Sequence, residues 1–302
     1  RDSRPVPPAH AMKPEDLTTA DPVATAPVPR PRGIVGLLLA PFASLWERRV
    51  LFRRVLRRDV EASFRGSVLG VLWIVLIPLA MVAVYTFVFG VVMKAAWSTG
   101  DLPPTSVPLV YFCGILIFSF FLEVVNRAPN HIRAHSTYVK KVIFPLDLLD
   151  WVLVGSAAVR LLIGLCLLVV FIMVVQQRVP MQIPLVLVLL VPFAVLMIGI
   201  GWILSAIGTY VRDLGHVITA VSPVVMFVSP VFYSLQQVPE DFRWVYLMNP
   251  LTFPLESARQ VLFFDQPIAW GGYGLYWLAA IAVFYAGYLF FQRARSGFAD
   301  VV

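Results

Sequence analysis

An all-α integral membrane protein is the fold class this sequence predicts, and three observations predict it. Of 302 residues, 59% are hydrophobic and only 14% charged, whereas soluble domains run nearer half apolar and a quarter charged. Six stretches approach the roughly 20 apolar residues that a helix needs to cross hydrocarbon. An arginine-rich amphipathic segment precedes the first of them. The expected architecture is six transmembrane helices, an N-terminal amphipathic interfacial helix, and re-entrant helices between spans five and six. A water-soluble enzyme, a disordered regulator and a disulfide scaffold are excluded by the same composition.

Residues 1–32 carry eight prolines and no apolar run, so 1–44 is expected to be a disordered cytoplasmic tail rather than a signal peptide. Residues 45–66 follow as the amphipathic helix. Trp46, Val50, Leu51, Val55 and Leu56 recur at helical steps, with Arg49, Arg53, Arg54, Arg57 and Arg58 between them. Such a helix lies flat in the headgroup layer, apolar side down, its arginines meeting anionic lipid.

The hydrophobic body, 67–295, holds the six spans, followed by a short tail, 296–302. The spans are expected at about Ser67–Met93, Val107–Val125, Leu148–Val175, Ile183–Ile207, Val217–Tyr233 and Tyr273–Phe291. The fifth is short and carries Pro223 and Pro230. An even number of crossings puts both termini on one side. With the N-terminus inside, nineteen Lys and Arg fall on the inner segments and four on the outer ones. The positive-inside rule therefore makes both termini cytoplasmic. Arg outnumbers Lys twenty to four, a bias compatible with a GC-rich bacterium and hence with a Gram-negative inner membrane.

Between spans two and three, Pro129 and Asn130 read as a helix start, with Asn130–Val139 a short helix along the membrane and Phe144-Pro145 its stop. Span four ends in a charged turn at Arg212-Asp213, whose side chains suit local pairing, capping of the next helix or plain solvation. Gln236–Ile268 is apolar but broken by four prolines. Two short helices, about Pro239–Leu247 and Pro254–Phe263, would dip back toward the bilayer, or the segment rests on the headgroups as an ordinary loop.

Chemistry-bearing motifs are absent from the sequence. No lysine stands in a GxxxxGK[ST] loop, and there is no GxSxG, HExxH or GxGxxG. Cys113 and Cys166 sit in apolar runs and read as packing thiols. His131 and His135 are four apart, a metal spacing, but no third ligand is near, so no metal is expected. No domain suits nucleic acid. Arg160 falls inside span three, twelve residues, or about 18 Å, from its inner end. An unpaired charge there is costly, so it is expected to form a structural ion pair with Glu123 in span two.

Several segments, in order, resemble a known family. Phe64-Arg65-Gly66-Ser67-Val68-Leu69-Gly70-Val71-Leu72-Trp73, Pro78, and Tyr85-Thr86-Phe87-Val88-Phe89-Gly90 are similar to the opening of polysaccharide-exporting ABC transporter permeases, the O-antigen, capsule and teichoic acid group. Tyr138-Val139-Lys140-Lys141-Val142-Ile143-Phe144-Pro145, Tyr210-Val211-Arg212-Asp213, Ser229-Pro230-Val231-Phe232-Tyr233 and Asn249-Pro250-Leu251-Thr252 continue the series, over about residues 45–295. The family often has Phe where Val211 stands.

The resemblance implies a non-catalytic half-transporter that pairs with a second copy of itself and binds two copies of a cytoplasmic ATP-binding subunit. ATP and magnesium belong to that partner, and no cofactor is bound by this chain. It also implies a coupling segment, carried here by Asn130, His131, Arg133 and His135, joined at the ATPase by Arg57, Arg58, Arg212 and Asp213. The cargo it implies is a lipid-linked glycan, moved outward past gate helices. Aromatic rings suit the apolar faces of sugars, which makes Trp73, Tyr85, Phe87, Tyr111, Phe118, Phe227, Phe232 and Tyr233 the channel candidates. Each serves equally well as a lipid-facing or interhelical residue. A small-molecule efflux permease and a membrane-embedded lipid-modifying enzyme are the alternatives from other classes.

Overall fold

Residues 33–62, 69–92, 106–136 and 145–301 are described by the computed structural model, and among them every regular element is helical. Among the described residues, four helices are long and apolar enough to cross a membrane. They are α4 (Val107–Ala134), α5 (Asp147–Gln176), α6 (Ile183–Tyr210) and α10 (Trp270–Ala294). At 1.5 Å per residue they run from about 37 to about 45 Å, beyond the roughly 30 Å hydrocarbon core.

Two other apolar helices occupy the places expected of spans one and five but are shorter: α3 (Trp73–Tyr85), which continues as a π-helical stretch over Thr86–Val92, and α7 (Leu214–Val228). Fifteen residues make only about 22 Å of helix. The fifth segment thus begins before Val217 and ends before Tyr233. Its end has a local cause, because Ser229 precedes Pro230 and takes an extended backbone.

The core gathers around α4, which packs against α3, α5, α6 and α7. Small residues set the closest approaches. Gly199 on α6 meets Gly287 on α10, where an added Cβ would strike the facing backbone. Gly208 likewise leaves room for the Pro129 backbone. An aromatic cluster of Trp151, Trp202, Phe284 and Tyr288 fills the space between α5, α6 and α10.

Several expectations are corrected. The N-terminal tail does not reach residue 44, because α1 spans Gly33–Glu47. Its Phe42 stacks on Phe284, centroids 5.3 Å apart, and Ser44 donates to Asp147 at 2.8 Å. Residues 1–32 lie outside the described residues. The amphipathic helix is α2 (Arg49–Ala62). Part of its apolar flank packs on the bundle, with Phe52 and Leu56 against Gly155 of α5, while Val50 stays exposed. No helix starts at Pro129, since α4 runs through it unbroken to Ala134. The first residue of a new helix and a tolerated interior proline look alike in sequence. Here Pro129 is buried against Gly208, and that packing holds the turn. Residues 137–144, with Tyr138 and Lys140-Lys141, lie outside the described residues, as do Phe64–Val68, which open the first motif. Cys113 is buried, but Cys166 is exposed on the outward side of α5.

Two short helices follow α7. A 3-10 turn over Glu240–Phe242 leads into α8 (Arg243–Met248), and α9 (Thr252–Phe263) is buried along most of its length. The chain closes with α11 (Phe298–Val301).

Candidate functional site

At one end of the bundle a four-charge network joins three helices. Glu123 and Arg127 are one turn apart on α4, with Arg127 donating to Glu123 at 2.9 Å. Arg160 on α5 donates to both Glu123 oxygens through Nε and to Oε1 again through Nη2. On its other side the Arg127 guanidinium grips Asp59 of α2 at 2.8 and 2.9 Å. Ser156 sits between the two arginines, 3.3 Å from Arg127. Two cations and two anions balance, and each guanidinium has several oxygens to hold, which is what makes ions tolerable at partial burial. Burial alone would raise the Asp59 carboxyl, but the Arg127 guanidinium outweighs it and holds the group below the usual carboxylate range.

The same end carries polar groups from two turns. Arg133 donates to Asn130 at 2.7 Å and reaches the Arg212 carbonyl at 3.5 Å. The α4 terminus and the turn before α7 are thereby drawn into one surface. Asp213 occupies the residue before α7, although its side chain makes no cap. Asn130, Arg212 and Asp213 are exposed.

At the opposite end a single buried arginine organises the backbone. Arg259 on α9 is 1% exposed. Its Nε donates to the Val110 carbonyl at 3.2 Å, and its Nη atoms donate to Pro230 and Val231. Gly114 provides the room, because a Cβ there would overlap the guanidinium. One cation thus holds the start of α4, the break after α7 and α9 together. Arg178 on the α5–α6 turn adds a second tie, to Asp265 at 2.8 Å and to the Leu262 carbonyl at 2.9 Å.

Between these ends, α3 and α7 present open apolar faces. Trp73, Ile77, Val84 and Phe87 are exposed on one, and Val217, Val221, Val224 and Phe227 on the other. On α7 only Gly215 and Ser222 are buried. A helix apolar on its free sides needs lipid or another protein surface to cover it.

Residues 50–263 match the ABC-2 type transporter family. The chain belongs to that family. This ABC-2 protein is 28% identical over 262 residues to the O-antigen export system permease protein RfbA of Myxococcus xanthus, covering 85% of this chain and 97% of that one. It is 23% identical over 252 residues to the protein of the same name from Klebsiella pneumoniae, covering 82% and 93%. With the polysialic acid transport protein KpsM of Escherichia coli it shares 24% over 221 residues, 71% of this chain and 82% of that protein.

The candidate residues of this ABC-2 chain divide by position. Glu123 and Arg160 meet. Trp73, Phe87 and Phe227 are exposed, and Tyr85 is half-buried. Phe232 contacts Tyr111 and Phe227, with centroids 6.3 and 6.5 Å apart. Tyr233 donates to the Phe227 carbonyl and lies 2.9 Å from the Tyr246 hydroxyl. Tyr111 and Phe118 are 5% and 3% exposed and pack inside the protomer. His131 of the coupling set is 4% exposed, with Nε2 on the Leu149 carbonyl at 3.1 Å, so it braces α4 against α5. Its ring packs edge-on to His135, whose Nδ1 lies 2.9 Å from the His131 carbonyl. Arg57 is exposed and pairs with Glu61 at 2.7 Å, and Arg58 is exposed beside it. Among the described residues no group of three or more His, Cys, Asp or Glu is placed to hold a metal ion.

Two functional groupings escaped the sequence reading. Asp59 continues the Leu51–Val55 stripe at a four-residue step, so its place on the packed flank of α2 was available as a signal. Arg259 stands four residues after Leu255 and three before Leu262, inside an apolar helical face, and that spacing was its signal.

Proposed function

We propose that this chain is the transmembrane subunit of an ABC exporter that moves a lipid-linked polysaccharide across the bacterial inner membrane. The observation that carries the proposal is the near full-length match to permeases named for O-antigen export. In this reading α3 and α7 complete six crossings, and both termini are cytoplasmic. Helices α8 and α9 are the re-entrant elements at the outer mouth, held there by Arg259. Two copies assemble through the open faces of α3 and α7, and each copy binds one ATP-hydrolysing subunit at the surface formed by Asn130, Arg133 and Arg212. That partner holds ATP and magnesium and does the chemistry; this chain has no catalytic role.

Nucleotide-driven closure of the two ATPases pushes on this inner surface. The rigid joints among α2, α4 and α5 carry the push to the spans, and the paired copies part along α3 and α7. Trp73, Tyr85, Phe87 and Phe227 then offer flat rings to the sugar faces. A path of many weak contacts lets a polymer slide, as conduction requires sites that release as readily as they bind.

The test is replacement of Trp73 and Tyr85 by Ala, with surface glycan and ATPase association measured together. Surface glycan should fall several-fold while the subunits still co-purify. Normal surface glycan with an intact complex would reject the channel assignment. Co-purification without any glycolipid, together with export of small molecules, would reject the cargo.

A further inference from the structure

We propose that Asp150 of α5 is held as a neutral carboxylic acid, whose proton joins α5 to α6 and α4. Asp150 is 0% exposed, stands in the first turn of α5 and faces α6 at Gly201. Its Oδ1 lies 2.5 Å from Ser205 Oγ, and the same hydroxyl lies 3.1 Å from the Ala128 carbonyl of α4. A carbonyl can only accept, and a hydroxyl has one hydrogen to give. With Asp150 ionised, Ser205 would stand between two acceptors and satisfy one of them. With the proton on Oδ1, Asp150 donates to Ser205 and Ser205 donates to Ala128. An unbroken chain of two hydrogen bonds then crosses three helices.

The second oxygen favours the same state. Oδ2 is buried and has no hydrogen-bond partner among the described residues. A carboxylate stripped of water and bare on one side is far costlier than the carbonyl oxygen of a neutral acid. No cation nearby offsets that cost. The titratable neighbour on its own helix is a second acid, Asp147, which accepts from Ser44 of α1 at 2.8 Å. Arg127 and Arg160 are spent on Asp59 and Glu123. His131 of α4 is spent on the Leu149 carbonyl, and Trp202 of α6 gives its N–H to the Asp147 carbonyl at 3.2 Å. From α10 the nearby titratable group is Tyr288, whose ring packs on Trp202 and which carries no charge while protonated. A proton on Asp150 is therefore the remaining way to meet its burial, and this joint is independent of the cargo.

The test is infrared spectroscopy of the full-length chain in detergent at neutral pH, with the side-chain carboxyl carbon isotopically labelled in aspartate alone. A protonated carboxyl has a C=O band distinct from the bands of a carboxylate. The parent should show one such band, displaced by the label, which rules out the largely buried Glu256 as its source. D150N should lose the band and keep the parent's melting temperature, because its amide donates to Ser205 in place of the acid. S205A should keep the band but move it, since the acid there loses its acceptor. Absence of a labelled acid band from the parent overturns the proposal without recourse to any variant, as does a band that D150N retains. A band that S205A leaves unmoved also overturns it, because the proton then does not bridge to α6.

Discussion

Arg127 shows how much a single side chain decides at its end of this bundle. Without it, Glu123 would keep Arg160 but Asp59 would lose the cation that ties α2 to α4. The direction of the Asp59 shift makes this attachment sensitive to acid. A carboxyl held below its usual value contributes stability that is complete above the unfolded pKa, about 3.9, and is lost as pH falls through the folded value. Attachment of α2 should be constant from neutral pH down to about 4 and weaken below it. In D59N attachment should be weaker at neutral pH and flat through the acid range. Hydrogen exchange of residues 49–62 reads this directly, and identical acid profiles for the two proteins would refute the joint. The Glu123–Arg160 pair was readable from sequence because both charges stand in apolar runs. Its extension to Asp59 was not, because an acid among arginines looks neutralised by its own neighbours.

Elements in this protein are positioned by where side chains are missing as much as by where they are large. Gly199 and Gly287 bring α6 and α10 together, and Gly208 admits the backbone at Pro129. Apolar spans read from sequence as lengths of grease, so six apolar segments were legible, but the shortness of the first and the faces that meet were not. The same limit hid the packing of α1 and α2. An amphipathic pattern states that one flank is covered, and lipid or a neighbouring helix satisfies it equally. Glycine contacts give a sharp check. G287A should destabilise the protein by about 1–3 kcal/mol through overpacking against α6. G271A and G274A, on the same helix with open space at the Cβ position, should be neutral or slightly stabilising, as alanine favours helix. Thermal melting in detergent separates the three, and equal melting temperatures for all of them would mean the α6–α10 contact is not tight.

At the scale of the whole molecule, the uneven distribution of burial is the main clue to assembly. Helix α4 is enclosed, whereas α7 buries only two residues and α3 leaves most of its apolar surface open. Lipid covers such faces, and aromatic residues at span ends suit the membrane interface. A second copy would cover them too, and joining two open faces encloses a path lined from both sides. Cysteines at Val84 and Val224, 53% and 58% exposed, test this in native membranes. In a background where exposed Cys166 is serine, V84C/V224C should form a disulfide-linked dimer in high yield on mild oxidation. V174C, on α5 and 63% exposed, should remain mostly monomeric, because its face turns to lipid in the assembly proposed here. Equal crosslinking at all three positions would signify random collision in the bilayer. A dimer formed only through V174C would move the interface to α5 and leave α3 and α7 to the lipid, taking the channel aromatics with them.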